Sequence, residues 1–556
     1  MISPRRSILL LPQRPILLLL LSSLVTCSLH AQVTSDRLLH APDEPQNWLT
    51  YSGSYAGQRY SLLNQVDLTN VKNLELKWVF QDQSLQKFES TPLVVNGIIY
   101  VTQPPNDIIA LDAKTGAAFW VYHYNPSPAA RPCCGIVNRG VAILGDSLFM
   151  ATVDAHLVSI DAKNGHLNWD VKVADDAASY AMTLAPLVVK DKVVVGVAGA
   201  EFGIRGFISA YNAQTGAEGW KFYTIPGPGD PGHDTWRGDD WEHGGGSAWM
   251  TGTYDPDLNL TYWGTGNPGP DFNVSQRPGD NLYSDSVVAL DPDTGKLKWY
   301  FQYSPNDAYD YDSVQVPVLA EINWEGKPRK VLMQANRNGF FYVLDRTTGK
   351  FLFGRPFVKV NWAKGLDDAG RPIITTQPPG TPTYPGQQGG TNWYSPSFSP
   401  RTGLFYISAW DDYSTIFAGV PAEYKEGQRY MAGANTGPIP GGDTLGNGIR
   451  GPINTYTEAA GHGAVLAIDP HTGERKWTFA MHDVTSSGIL TTAADLLFTG
   501  GREGFFQALN ARTGELLWKA SLGGDIISGP ITYEVDGKQY ISVAAGRGLF
   551  VFGLRN

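Results

Sequence analysis

Cys133 and Cys134 are neighbours in Arg131-Pro-Cys-Cys-Gly-Ile-Val-Asn-Arg139, and Cys27, in an apolar N-terminal stretch, is the chain's one other cysteine. A disulfide between adjacent residues closes so small a ring that it hardly restricts the unfolded chain, and the loop-entropy route to stability nearly vanishes. Such a bond is strained and more reducible than a structural bridge. The pair makes better sense as a flat sulfur surface pressed against another group. Asp310-Tyr-Asp312 is a second place where spacing counts, because at period two both carboxylates can face the same way on an extended segment. Other chemistries find no support. The ten histidines contain no His-x-x-x-His pair, no zinc or thiol-nucleophile constellation appears, and no Cys-x-x-Cys-His haem site occurs. No glycine-rich loop follows a strand and opens a helix, which argues against nicotinamide or ATP chemistry.

The N-terminus reads as a secretory leader over residues 1–31, with Arg5 and Arg6 before the apolar run Pro15-Ile-Leu-Leu-Leu-Leu-Leu21. Leu29-His-Ala31 before Gln32 resembles a cleavage site and is preferred. Leu24-Val-Thr-Cys27 resembles a lipid-attachment box, though Thr26 is unusual just before the cysteine. Either route leads out of the cytoplasm, to the periplasm, where disulfides persist. No later segment is apolar enough to cross a membrane. The formal charge is −10, and losing Arg5, Arg6 and Arg14 with no acid makes the mature chain still more acidic. That argues against nucleic acid and suits attraction to a basic partner.

The residues able to do chemistry need a scaffold, and a repeated phrase supplies one. A strand, then Asp/Asn-x-x-Thr/Asn-Gly, then an aromatic, occurs as Asp112–Gly116 with Trp120, Asp161–Gly165 with Trp169, and Asn212–Gly216 with Trp220. It continues as Asp291–Gly295 with Trp299, Asp345–Gly349 with Phe353, Asp469–Gly473 with Trp477, and Asn510–Gly514 with Trp518. The Asp or Asn opens a turn by bonding its own backbone, and the glycine accepts positive φ. The tryptophan, at a fixed offset, can wedge between neighbouring sheets. This predicts an all-β, eight-bladed β-propeller with tryptophan-docking repeats, forming a single domain over residues 32–556. The interval between phrases is about fifty residues for most pairs but 124 between Asp345 and Asp469. A worn copy, Phe398-Ser-Pro-Arg-Thr-Gly-Leu-Phe-Tyr-Ile-Ser-Ala409, is expected to be the eighth blade. Leu74-Glu-Leu-Lys-Trp-Val-Phe80 is expected to add a strand to the last blade and close the ring, removing open edges. The insertions at 224–249 and 361–395, rich in Gly, Pro and Trp, are expected to cap one face.

On these residues the chain resembles the quinoprotein alcohol dehydrogenases of the methanol/ethanol family, which use pyrroloquinoline quinone (PQQ). The likeness rests on Pro132-Cys-Cys-Gly-Ile-Val-Asn-Arg139, Gly199-Ala-Glu-Phe-Gly-Ile-Arg-Gly206, Gly264-Thr-Gly-Asn-Pro-Gly269, Asp307-Ala-Tyr-Asp310 and Ala335-Asn-Arg-Asn-Gly-Phe-Phe-Tyr-Val-Leu-Asp345, with the tryptophan phrases. It implies an eight-bladed propeller with the cofactor on its axis. By this resemblance a Cys133–Cys134 disulfide covers one face of PQQ and Trp249 the other. Glu89, Arg139, Thr183, Gly199, Ala200, Arg337, Asn392 and Trp393 complete the cofactor contacts. Glu201, Asn267 and Asp310 match the ligands of one metal ion, and Asp310 also matches the catalytic base.

Asp312 stands where calcium enzymes of that family carry a small neutral residue and lanthanide-dependent ones an aspartate, so the ion is expected to be a lanthanide rather than Ca2+. Ala198, Asn306 and Tyr309 depart from the family pattern, which puts the identity of the alcohol in doubt more than the reaction. With no haem site in the chain, electrons are expected to leave to a separate, soluble cytochrome c. The same repeats also occur in cofactor-free propeller scaffolds of outer-membrane assembly, the rival reading.

Overall fold

The computed structural model describes residues 33–436, 462–481, 483 and 485–555, besides Met1. The leader expected over 1–31, Cys27 included, lies outside them. Among the described residues the alternating apolar runs of the sequence form eight four- or five-stranded sheets that follow one another along the chain, besides two two-stranded ones. Blade 1 consists of Leu93–Val95, Ile98–Gln103, Asp107–Asp112 and Ala118–Tyr122. Blades 2, 3, 4 and 5 begin at Ala142, Leu187, Thr253 and Val318 and end at Lys172, Tyr223, Gln302 and Pro356. Blade 6 pairs Ser397–Ser399 and Leu404–Asp411 with His462–Ile468 and Arg475–Ala480. Blade 7 runs from Leu490 to Ser521, and Tyr60–Ser61 adds a parallel strand at its inner edge. Blade 8 joins Ile531–Val535, Lys538–Ala545 and Gly548–Leu554 to the N-terminal Leu74–Gln81. The ring therefore closes by hydrogen bonds between the two ends of the described chain, as the Leu74–Phe80 pattern predicts.

The number of blades agrees with the repeat analysis, but the assignment of one does not. The worn copy at 398–409 is not a blade by itself. Its turn, Ser399–Gly403, joins the first two strands of the same sheet whose last turn is Asp469–Gly473. The long interval comes from an insertion between the second and third strands of blade 6. The eighth blade is the composite one, which lacks the Asp-x-x-Thr-Gly phrase because its outer strand comes from the other end of the chain.

Each phrase has the structural role its residues suggest. Asp112 Oδ1 accepts from the backbone N–H groups of Lys114 and Thr115, and the same turn recurs at Asp291. The phrase glycine then meets the aromatic of the preceding blade: Gly165 meets Trp120, Gly216 meets Trp169, Gly295 meets Trp220, Gly473 meets Phe353 and Gly514 meets Trp477. Trp220 Nε1 also donates to Pro292 O in that next turn, at 2.8 Å. Gly295 has φ +71°, and a Cβ there would lie 2.5 Å from Trp220 Cε3. Gly295→Ala is expected to lower the melting temperature, at a cost of about 2–3 kcal/mol from backbone strain and overpacking. An unchanged melting curve would mean that the docked indole does not hold adjacent blades.

Topology now decides where function can sit. In an antiparallel blade, the link entering the first strand and the loop between strands two and three emerge at one end. The Asp-x-x-Thr-Gly turns, between strands three and four, lie at the other. Glu89, Arg139, Thr183, Trp249, Asp310, Asp312, Asn392 and Trp393 all lie in entering links, and Glu201, Asn267 and Arg337 in loops between strands two and three. The predicted site residues therefore share one end of the ring.

Candidate active site

Arg139 anchors one half of the site. Its Nη2 lies 2.7 Å from Glu89 Oε2, and its Nη1 donates to Thr183 Oγ1 at 2.8 Å. The guanidinium lies 4.6 Å from the Trp393 ring centre and 5.1 Å from that of Trp249, within cation–π range of both. Backbone bonds fix this corner: Arg139 N–H donates to Thr183 O, and Thr91 N–H to Arg139 O. Asn392 is buried, with its side-chain amide on Gln388 and its Oδ1 accepting from Trp393 N–H.

Arg337 anchors the other half. Its Nη1 donates to Asp312 Oδ2 at 2.6 Å, its Nη2 to Gln387 O at 2.6 Å, and Nη2 lies 3.3 Å from Asp310 Oδ2. Asp312 also receives Asn267 N–H at 2.8 Å and Trp249 Nε1–H at 3.3 Å. Asp310 takes a hydrogen bond from Gln387 Nε2 at 2.8 Å and adopts φ +62°. Trp249 thus connects the halves, its ring against Arg139 and its N–H on Asp312.

Glu201 stands beside the sulfur pair. Cys133 and Cys134 form a disulfide, and Cys134 Sγ lies 3.8 Å from Glu201 Oε1. Gly199 precedes Glu201 with φ +125°, where a Cβ would meet Ser179 O at 2.5 Å, so glycine alone fits; Ala200 is fully buried. Among the described residues, Cys133, Cys134 and Glu201 place one potential donor atom each within 4.8 Å of one another. Both sulfurs are oxidised, so this is not a thiolate site. Glu201, Asp310 and Asp312 do not close to that spacing, and Arg337 sits between the two aspartates.

The electrostatics join what the hydrogen bonds do not. Burial pushes the Glu201 carboxyl up to about 7, and the nearby charge of Asp312 adds to this. Burial likewise lifts Asp310 well above the usual carboxylate range, against the pull of Arg337 and with help from Asp312 and Glu201. Asp312 is raised by burial and held down in part by Arg337. Burial alone would lower Arg337, but Asp310 and Asp312 more than offset this and raise it. Negative charge is in excess here, and the donors around it are hard oxygens. Such a set calls for a cation. On the other side, the buried Nε atoms of Arg139 and Arg337 have no hydrogen-bond partner among the described residues. Two under-used guanidinium groups beside an indole and a disulfide suit a flat, anionic ligand.

Sequence reasoning missed several neighbours. Gln387, which holds Asp310, sits in the 361–395 insertion, where glycine and proline enrichment marked a loop but not which residue would matter. Asp271 and Asp285 are fully buried, and neither carboxylate has a hydrogen-bond partner among the described residues. Asp307 accepts from Tyr309 and Tyr311 N–H, and burial pushes it to about 6. The buried Arg277 donates to the carbonyls of Asp271 and Asp307. The signal for Asp271 was its place four residues after Asn267, in a Gly- and Pro-rich loop with little reason to carry charge. Residues 416–436, in the blade 6 insertion, also reach the site: Tyr430 N–H donates to Glu201 O and Arg429 Nη2 to Cys133 O.

A profile for the glucose/ethanol/alcohol dehydrogenase β-propeller domain matches residues 48–382. A second, for the outer-membrane protein assembly factor BamB, matches residues 461–553, which contain none of the site residues named above. The chain is 38% identical to the quinoprotein alcohol dehydrogenase PedH of Pseudomonas putida, over 97% of this chain and 93% of that one. It is 39% identical to the lanthanide-dependent methanol dehydrogenase of Methylacidiphilum fumariolicum, over 94% and 88%. The solved structure of a europium-containing methanol dehydrogenase superposes with a TM-score of 0.86 at 35% identity, covering 93% of this chain and 100% of that one.

Proposed function

The chain belongs to the PQQ-dependent quinoprotein alcohol dehydrogenase family, and from this premise we propose that it oxidises a primary alcohol to the aldehyde with PQQ and one metal ion, Asp310 acting as the base. The observation that carries the reading is the bonded group of Arg139, Trp249, Asp312, Arg337 and Asp310, drawn from separate blades to one end of the ring. When bound, PQQ supplies a hydride-accepting quinone and the cation supplies Lewis acidity toward it. Arg139, Arg337, Thr183 and the Asn392–Trp393 segment would bind the cofactor's carboxylates and edge, with Glu89 fixing Arg139. Trp249 and the Cys133–Cys134 disulfide would bound its faces. Glu201, Asn267, Asp310 and Asp312 would hold the ion, which the extra charge of Asp312 suits to a lanthanide better than to Ca2+. Gln387 and Arg337 engage Asp310 Oδ2, leaving Oδ1 to take the hydroxyl proton.

The acidic chain favours a basic, soluble cytochrome c as the electron acceptor, and the leader expected over 1–31 favours the periplasm. Transfer to such a carrier should weaken steeply with salt. The scaffold reading accounts for the repeats but gives no reason for buried carboxylates beside arginines with unpaired donors. The test is an absorbance titration of purified protein with PQQ plus a lanthanide or calcium, then an alcohol panel with a dye acceptor. Stoichiometric uptake and turnover are expected. Failure to take up PQQ with either ion would overturn the enzyme reading.

A further inference from the structure

Asp271 is a carboxylate that the mechanism above does not use. Its residue is 0% exposed, and neither Oδ1 nor Oδ2 has a hydrogen-bond partner among the described residues. Leaving such a group unpaired costs free energy, so it calls for a partner that the described residues do not provide. Its position is held from two sides. Arg277 Nη2 donates both to Asp271 O, at 2.8 Å, and to Asp307 O, fastening this loop to the one that carries Asp310. On the other side Phe272 N–H donates to Met431 O at 3.0 Å, while the adjacent Tyr430 N–H donates to Glu201 O at 2.7 Å. The backbone at Asp271 is thus tied through Arg277 to the Asp307–Asp310 loop and through Met431 and Tyr430 to Glu201. Asp310 and Glu201 are its strongest charged neighbours, ahead of Arg277 and Asp312.

We propose that Asp271 determines specificity: its carboxylate receives a second hydrogen-bond donor of the substrate, so that the best substrates are alcohols bearing a further hydroxyl or ammonium group near the carbinol. This rests on the dehydrogenase reading and adds the substrate class to it. A site built to bond a polar group discriminates strongly against the analogue that lacks it, because the protein's own buried group is then left unpaired.

The test compares n-propanol, propylene glycol and ethanolamine on the reconstituted full-length protein and on Asp271→Asn and Asp271→Leu. The first variant keeps the side chain's shape, and the second removes all polarity. In the wild type kcat/KM should favour propylene glycol or ethanolamine over n-propanol. That ratio should fall by about tenfold in Asp271→Asn and further in Asp271→Leu. Loss of the glycol alone or the amine alone would say which donor is bound, and either supports the proposal. A ratio within about twofold of wild type in both variants, or a parallel loss on all three alcohols together with weaker ion binding, would overturn it. Titration calorimetry with the same alcohols separates the two readings. If nothing is oxidised, the dehydrogenase assignment fails, while binding of the donor-bearing alcohols that Asp271→Leu abolishes would still support Asp271, and equal binding would not.

Discussion

Asp310→Asn should lower turnover by about 10²- to 10⁴-fold, the contribution of a positioned general base, and leave the protein folded and able to bind PQQ. The expectation rests on how little else the change disturbs. Asp310 sits at φ +62°, a left-handed conformation that Asn adopts more readily than most other non-glycine residues. The amide keeps the shape of the carboxylate, and an oxygen can still accept from Gln387 Nε2. What is lost is the proposed proton acceptor and one negative charge beside Arg337. Because that charge would also face the proposed ion, turnover must be expressed per ion bound, with occupancy measured by mass spectrometry. PQQ absorbance and the melting curve serve as controls. Turnover per occupied site within about tenfold of wild type would show that another group takes the proton.

How much of this was legible in the sequence depends on whether a feature is carried by local spacing. Seven blades announce themselves through the Asp-x-x-Thr-Gly turn and the aromatic that follows, because each blade needs both to dock on the next. The eighth carries no such phrase. Its turn would fall between Leu554 and Leu74, which are bonded neighbours but opposite ends of the described chain. The 398–409 stretch looked like a repeat because the hairpin between strands one and two also uses a Thr-Gly turn. Only pairing with His462–Ile468 reveals that it shares a sheet with Asp469.

The site divides in the same way. Cys133, Arg139, Glu201, Asn267, Asp310 and Arg337 are proposed from motifs, and blade topology explains why positions so far apart in sequence share one end of the ring. Gln387 and Asp271 lie in loops whose course is set by contacts with distant residues. Asp271 depends on Arg277 from its own loop, but its place beside Glu201 depends on Met431 and Tyr430, in an insertion with no readable period. A buried, unpartnered carboxylate is a property of packing, and no spacing rule encodes it.

The second large effect is expected at Asp312, where replacement by Ala should remove the lanthanide preference proposed for the site and leave the two ions poorly distinguished. Two unit charges about 4 Å apart in a setting of this kind interact by about 4 kcal/mol. Each additional positive charge on the ion therefore gains roughly that much from Asp312, and 1.4 kcal/mol is a factor of ten in affinity. Arg337 tempers the gain. Its Nη1 already donates to Asp312 at 2.6 Å, so the ion would share this carboxylate with a fixed cation, and the realised preference should be about 10²-fold rather than the 10³-fold the Coulomb estimate allows. In the Ala variant Arg337 is left facing Asp310 alone, which weakens the hold on any cation. The lanthanum-over-calcium ratio should therefore fall by about 10²-fold, with both affinities lowered and that for lanthanum lowered more. Both are read as dissociation constants by titrating metal-free protein, with melting curves to show that the variant folds. An equal loss for both ions, or a wild type that binds calcium more tightly than lanthanum, would mean that Asp312 serves to orient Arg337 and Trp249 and does not select a trivalent ion.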